Sequence, residues 1–187
     1  MQDEPSDEID KNVARYLEYF ADRSNRLFAY YFCIFEFQND DDYNRPLDEC
    51  DRTWRLKSIK DSCLHTTLIA LRDLDDFLSP RTDKTMRDDL RASDFMLAED
   101  LRFLTKEERI CINKYIAHTT SKGAENAGYR WDIHEMISKA IAQCDVFLEM
   151  TKSNYGLKNL NTFIMAGVAQ AKTKAIWNAI QKEFKTQ

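Results

Sequence analysis

Residues 51–78 read DRTWRLKSIKDSCLHTTLIALRDLDDFL, and this stretch decides the fold class. Leu56, Ile59, Cys63, Thr67, Ala70, Leu74 and Phe77 recur at steps of three and four, the spacing that lines one face of an α-helix. No Gly or Pro interrupts the run, and Ser79-Pro80 ends it. A helix is therefore expected from Leu47 or Asp51 to Leu78. A second seam precedes it. Val13, Leu17, Phe20, Ser24, Leu27, Tyr31 and Ile34 alternate steps of four and three, broken in character only at Ser24. That predicts one helix of about nine turns. It should stop near Gln38, where NDDDYNRP (39–46) supplies turn formers, acids at the wrong end of the helix dipole, and Pro46. Each of the two helices would reach about 40–50 Å at 1.5 Å per residue.

Downstream, residues 79–104 are less regular, and RTDKTMRDDLRASDF (81–95) predicts a short helix and a loop. Thr105 and Glu108 form a capping box: the hydroxyl accepts from the amide three residues on, and the carboxylate reaches back. A helix from Lys106 to Thr120 follows. SKGAENAG (121–128) holds two of the four Gly and reads as a loop. Trp131 to Lys152 reads as a helix with Ile133, Ile137, Ile141, Cys144 and Leu148 inward, and Gly156 breaks it. The last helix, Leu157 to Phe184, has Leu160, Ile164, Val168, Ala171 and Ala175 on one side. Its Phe163, Ala166, Gly167 and Gln170 side is thin enough for close helix approach. No strand pattern or internal repeat occurs. The expectation is an all-α protein: an antiparallel helical bundle of five to six helices with two long N-terminal helices. It would be one domain over 1–187, with an acidic flexible tail at 1–7.

Composition narrows the function classes. The chain has 187 residues, 43% apolar and 32% charged, which suits a buried core and excludes wholesale disorder. With 4 Gly and 3 Pro, and no GxGxxG or GxxxxGK[ST] string, it lacks the loops that cradle phosphates. The net charge of −5 argues against a broad nucleic-acid footprint. The charge is uneven, however: residues 1–93 carry 14 bases against 21 acids, and residues 94–187 carry 13 against 11. From Met150 onward there are six Lys and one Glu. Lys172, Lys174, Lys182 and Lys185 suit either an RNA backbone or the dipole at a helix C-terminus. MQDEPSDEID is the opposite of a secretory leader, and the longest charge-free apolar run, Leu27–Phe35, is nine residues, too short to cross a bilayer. Cys33, Cys50, Cys63, Cys111 and Cys144 are odd in number and never form CxxC, so they read as reduced cysteines. A cytoplasmic protein with no membrane association and no cofactor is expected.

The chemistry-bearing residues are few. His65, His118 and His134 form no HxxxH or ExxH pair, so no metal site is expected. Ser58, Asp61, His65, Leu68, Arg72 and Asp76 line the non-core face of the second helix. Asp61 lies one turn before His65, and Arg72 one turn before Asp76. If buried, Asp61 would orient the imidazole and raise its pKa; if exposed, the four residues are an ordinary ion-pair ladder. His134, beside a core face, has no evident partner and reads as structural. The segment CINKYIAHTT (111–120) is the most informative, because Lys114 and His118 share one face of an otherwise apolar helix. The helix C-terminus favours protonated His118 and Lys114 opposes it, so the two can divide acid and base states. Metal-free phosphodiester cleavage needs those parts: a proton acceptor for the 2′-hydroxyl and a cation for the phosphorane.

INKYIAH (112–118) resembles the motif of HEPN domains, helical bundles whose typical signature is Arg, often Asn, a few residues, then His. HTTLIALRDLDDFL (65–78), a polar loop and then NKYIAH are similar, more narrowly, to HEPN-like proteins of abortive-infection systems. The likeness covers residues 50–120. It implies a homodimer whose paired motifs form a metal-independent RNase cleft, in RNA-directed defence or stress response. Residue by residue, Asn113 and His118 match. An Arg at the family spacing would fall at Cys111, Ile112 or Asn113, and none of these is Arg. Arg109, nine residues before His118, lies about 180° away around the helix. On this reading His118 is the general acid/base, Asn113 its orienter or a phosphate donor, and Lys114 or Arg72 the charge stabiliser. His65, Asp61 and Arg72 would line the substrate. The alternative is a non-catalytic scaffold or interaction module acting through dimerisation or a protein partner.

Overall fold

The computed structural model describes residues 23, 26–37, 51–80, 82, 91–95, 99–117, 130–155 and 160–185. The acidic start, the seam before Arg23, residues 83–90 and 96–98 of the 79–104 connection, the Ser121–Gly128 loop, Gly156 and His118 lie outside them. Among the described residues the protein is all-α. Its helices are α1 (Ala29–Phe37), α2 (Asp51–Leu78), α3 (Lys106–Ala117), α4 (Ile133–Tyr155) and α5 (Leu160–Lys185), with a short 3-10 helix at Ala92–Phe95. Helix α2 is the hub, packing on α1, α3, α4 and the 3-10 helix, while α5 packs on α4. No helix among the described residues is long and apolar enough to cross a membrane.

Nine-turn continuity fails where it can be followed. Arg23 and Arg26 are helical, but Leu27 and Phe28 form a turn before α1 begins. The cause is Thr67 of α2, fully buried, whose hydroxyl donates to the Leu27 carbonyl at 3.2 Å and accepts from the Tyr30 amide at 3.1 Å. A side chain thus takes up backbone groups that an unbroken helix would pair internally, and the ladder resumes with the Phe32 amide on Phe28.

The core forms because α2 is apolar over more than one face. Thr67, Ala70, Leu74 and Phe77 are buried as the spacing predicts, but so are Leu68, Leu71 and Leu78 on the adjoining arc. Leu68 therefore belongs to the core, not to the polar face, and Ile59 is exposed instead. Phe77, Phe95 and Phe147 lock α2, the 3-10 helix and α4 together with edge-to-face contacts at 5.1–6.4 Å. Ser79 closes α2 by donating its hydroxyl to the Asp75 carbonyl at 2.6 Å. Asp132 caps α4, accepting the Glu135 amide at 2.9 Å, and Ile133, Ile137, Ile141 and Cys144 face inward as expected.

Helix α5 uses a different face from its apolar line. Gln170, Thr173, Trp177 and Ile180 are buried, whereas Val168, Ala171 and Ala175 are exposed. Gly167 is exposed too, with nothing within 4 Å of where a Cβ would stand, so it makes no close helix approach. Trp177 explains the choice. Its indole stacks on Phe28 at 6.1 Å and meets Tyr31 at 5.5 Å and His134 at 4.6 Å, joining α1, α4 and α5.

Candidate functional site

Helix α3 carries residues 112–117 of the INKYIAH stretch and is held by three devices, two of them at its start. The capping box forms as read: the Thr105 amide donates to Glu108 at 2.6 Å, and the Glu108 amide to the Thr105 hydroxyl at 3.1 Å. Ile112 is fully buried against the core. The third device is Asp75 of α2. One carboxylate oxygen accepts the amides of Phe103 and Leu104, both at 2.8 Å, and the other lies 3.6 Å from the Arg109 guanidinium. Burial pushes the Asp75 carboxyl above its ordinary range, against the pull of those two amides and of Arg109.

The sequence-derived residues distribute as follows. Asn113 lies one turn beyond Arg109, half-buried, and its carbonyl oxygen is enclosed without a hydrogen-bond partner. Lys114 is half-buried and makes no ion pair among the described residues. His118 lies outside the described residues, so its distance to either is not part of the geometry. His65 is half-buried and meets the ring of Tyr115 edge-on at 5.0 Å, and Tyr115 meets Trp131 at 5.6 Å. Asp61 is exposed and makes no hydrogen bond or ion pair with His65. Its charge is felt by Tyr115, whose hydroxyl is pushed up first by burial and then by Asp61. Arg72 pairs with Asp76 at 3.5 Å, both half-exposed, as an i,i+4 pair. The structure therefore brings His65 beside Tyr115 and Arg72 beside Asp76.

His134 does have partners. Its Nδ1 lies 3.4 Å from the Tyr31 hydroxyl and its ring packs on Trp177, so it serves the core. Among the described residues no three His, Cys, Asp or Glu side chains gather in a way that could hold a metal ion. Of the C-terminal lysines, Lys174 is engaged by Asp145 at 2.8 Å, and the same carboxylate accepts from Gln170 at 2.9 Å.

Sequence reading passed over Asp75 and Tyr115, and set Arg109 aside only for its place around the helix, without finding its partner. A signal for Asp75 was present: Leu68, Leu71, Asp75 and Leu78 step by three and four, so an acid stands inside an apolar line. For Tyr115 there was none, because its neighbours come from two other segments. No family model, curated protein or solved structure matches the chain.

Proposed function

We propose that this chain is a HEPN-like helical-bundle protein of RNA-directed defence or stress response, acting as a non-cleaving module through a second copy of itself or a protein partner. The observation that carries this reading is the engagement of Arg109 by Asp75 at 3.6 Å. A phosphorane needs a cation free to follow its developing charge. The one guanidinium on α3 with a turn-related place beside Asn113 instead faces, at ion-pair distance, the carboxylate that also holds Phe103 and Leu104. Arg72 faces Asp76 on its own helix, in a half-exposed pair.

A degenerate metal-independent RNase is the second reading, favoured by the enclosed, unpartnered Asn113 carbonyl oxygen. Buried polar atoms without partners are rare and call for a reason, and a ligand is one. In that case Lys114 supplies the charge without the guanidinium fork, and His118 transfers the proton. Purified protein and His118→Ala, each incubated with a mixed single-stranded RNA pool in EDTA, separate the two. The non-cleaving reading expects intact RNA with both proteins and a dimer or complex by light scattering. Cleavage that survives EDTA and disappears in His118→Ala restores the RNase.

A further inference from the structure

We propose that Cys33 of α1 and Cys63 of α2 form a dithiol that a hydroperoxide converts to an intramolecular disulfide, joining the two helices at the surface of the fold. The helices run antiparallel in a register that three contacts fix. Arg23 lies 3.4 Å from Asp73, while Leu27 and Tyr30 both meet the Thr67 hydroxyl. One turn further along α1 is Cys33, and one turn back along α2 is Cys63. The register thus places the two sulfur-bearing positions opposite each other, near enough for Cys63 to act on the Cys33 thiol. Cys111 and Cys144, by contrast, stand on α3 and α4, and all four are free thiols.

The two cysteines differ in a way that assigns their roles. Cys33 is buried; burial, and then the neighbouring Cys63, push its thiol up to about 11, so it stays protonated and does not attack a peroxide itself. Cys63 is half-buried, and Ile59 and Ser62 near it are exposed, leaving it within reach of a small oxidant. Lys60, one turn before Cys63, is close enough for its charge to act on Cys33. The first step is attack of the Cys63 sulfur, as thiolate, on one peroxide oxygen. The O–O bond breaks, Cys63 becomes a sulfenic acid, and the departing hydroxide takes up a proton as water. Cys33 sulfur then attacks the Cys63 sulfur; the S–O bond breaks and a second water carries off the Cys33 proton. Two thiols lose two electrons and two protons, and hydrogen peroxide is reduced to two waters.

The bond would close more than one turn beyond Leu27 and Phe28, where Thr67 interrupts the helix ladder. It would therefore fix α1, which carries Tyr31 to His134 and Trp177. The test treats the reduced full chain with hydrogen peroxide, blocks free thiols, and maps peptides by mass spectrometry without reduction. The expected result is a chain lighter by two hydrogen atoms, with the Cys33 and Cys63 peptides joined and separated again by dithiothreitol. Cys33→Ala should leave a sulfenic acid on Cys63 that dimedone captures, and Cys63→Ser should abolish the linkage. A linkage running to Cys50 or between chains overturns the proposal, as does a Cys63 that dimedone leaves unlabelled in folded Cys33→Ala.

Discussion

The Asp75 carboxylate, with none of its surface exposed, stands 3.6 Å from the Arg109 guanidinium while its other oxygen holds two amides. This one side chain joins α2 to the loop before α3 and to the first turn of α3. Removing it strands two buried amide donors and part of a cation, each costly when unpaired. Asp75→Ala should lower stability by about 2–4 kcal/mol in urea denaturation. Asp75→Asn keeps an acceptor for the amides and should lose about 1 kcal/mol. Retention of wild-type stability by Asp75→Ala would refute the role.

The pH dependence of the same pair has a definite sign. Burial raises the folded-state pKa of Asp75, so between the unfolded value near 4 and the folded one the native state holds the extra proton. Its contribution to stability is present in full at low pH and is lost as pH rises through the folded pKa. Asp75→Asn has no such step. The stability of wild type relative to Asp75→Asn should therefore fall as pH rises above the unfolded value near 4, read from denaturation midpoints at each pH. A difference that grows over that range contradicts the direction.

Thr67 offers a second test, of backbone and not charge. Its hydroxyl is the partner of both the Leu27 carbonyl and the Tyr30 amide inside the core. Thr67→Val keeps the volume and removes the hydroxyl, leaving those two groups unpaired at a cost of about 1–3 kcal/mol. The Tyr30 amide should then exchange faster with deuterium than in wild type. Slower exchange would mean that the helix closes over the turn once the hydroxyl is gone.

Much of the fold was legible because its elements are long and periodic. The α2 seam, the Ser79-Pro80 stop and the Thr105–Glu108 capping box are local signals, decided within a few residues. What the sequence did not show is set between elements. The break at Leu27 depends on a hydroxyl forty residues away, and the inward face of α5 depends on Trp177 finding Phe28, Tyr31 and His134. Small apolar residues misled for the same reason: Val168, Ala171 and Ala175 make a clean helical line, but the ring partners that fix the helix lie on the Trp177 face. The candidate site was half legible. Asn113 and Lys114 stood out as polar residues in an apolar helix, whereas the pairing of Arg109 with Asp75 spans α2 and α3 and leaves no local trace.

That choice of face on α5 is itself testable. Val168→Glu alters a side chain 59% exposed, and should change stability by no more than about 0.5 kcal/mol. Trp177→Ala removes the ring at the junction of three helices and should cost about 3–5 kcal/mol. Thermal unfolding of the two variants gives the comparison. Equal losses would mean that α5 packs through its apolar line after all.

Asn113 bears on whether α3 keeps something in reserve. Its carbonyl oxygen is enclosed and unpartnered, so the folded chain carries a desolvation cost with no bond to offset it. Replacing such a group with an apolar one of similar size is expected to be neutral or stabilising. Asn113→Leu should raise stability by up to about 1 kcal/mol, the opposite of most half-buried substitutions. The same variant should weaken any ligand or partner that the oxygen serves, so stability and binding should move in opposite directions. A substantial loss of stability in Asn113→Leu would show that the amide already has its partner within the fold and holds nothing for a substrate.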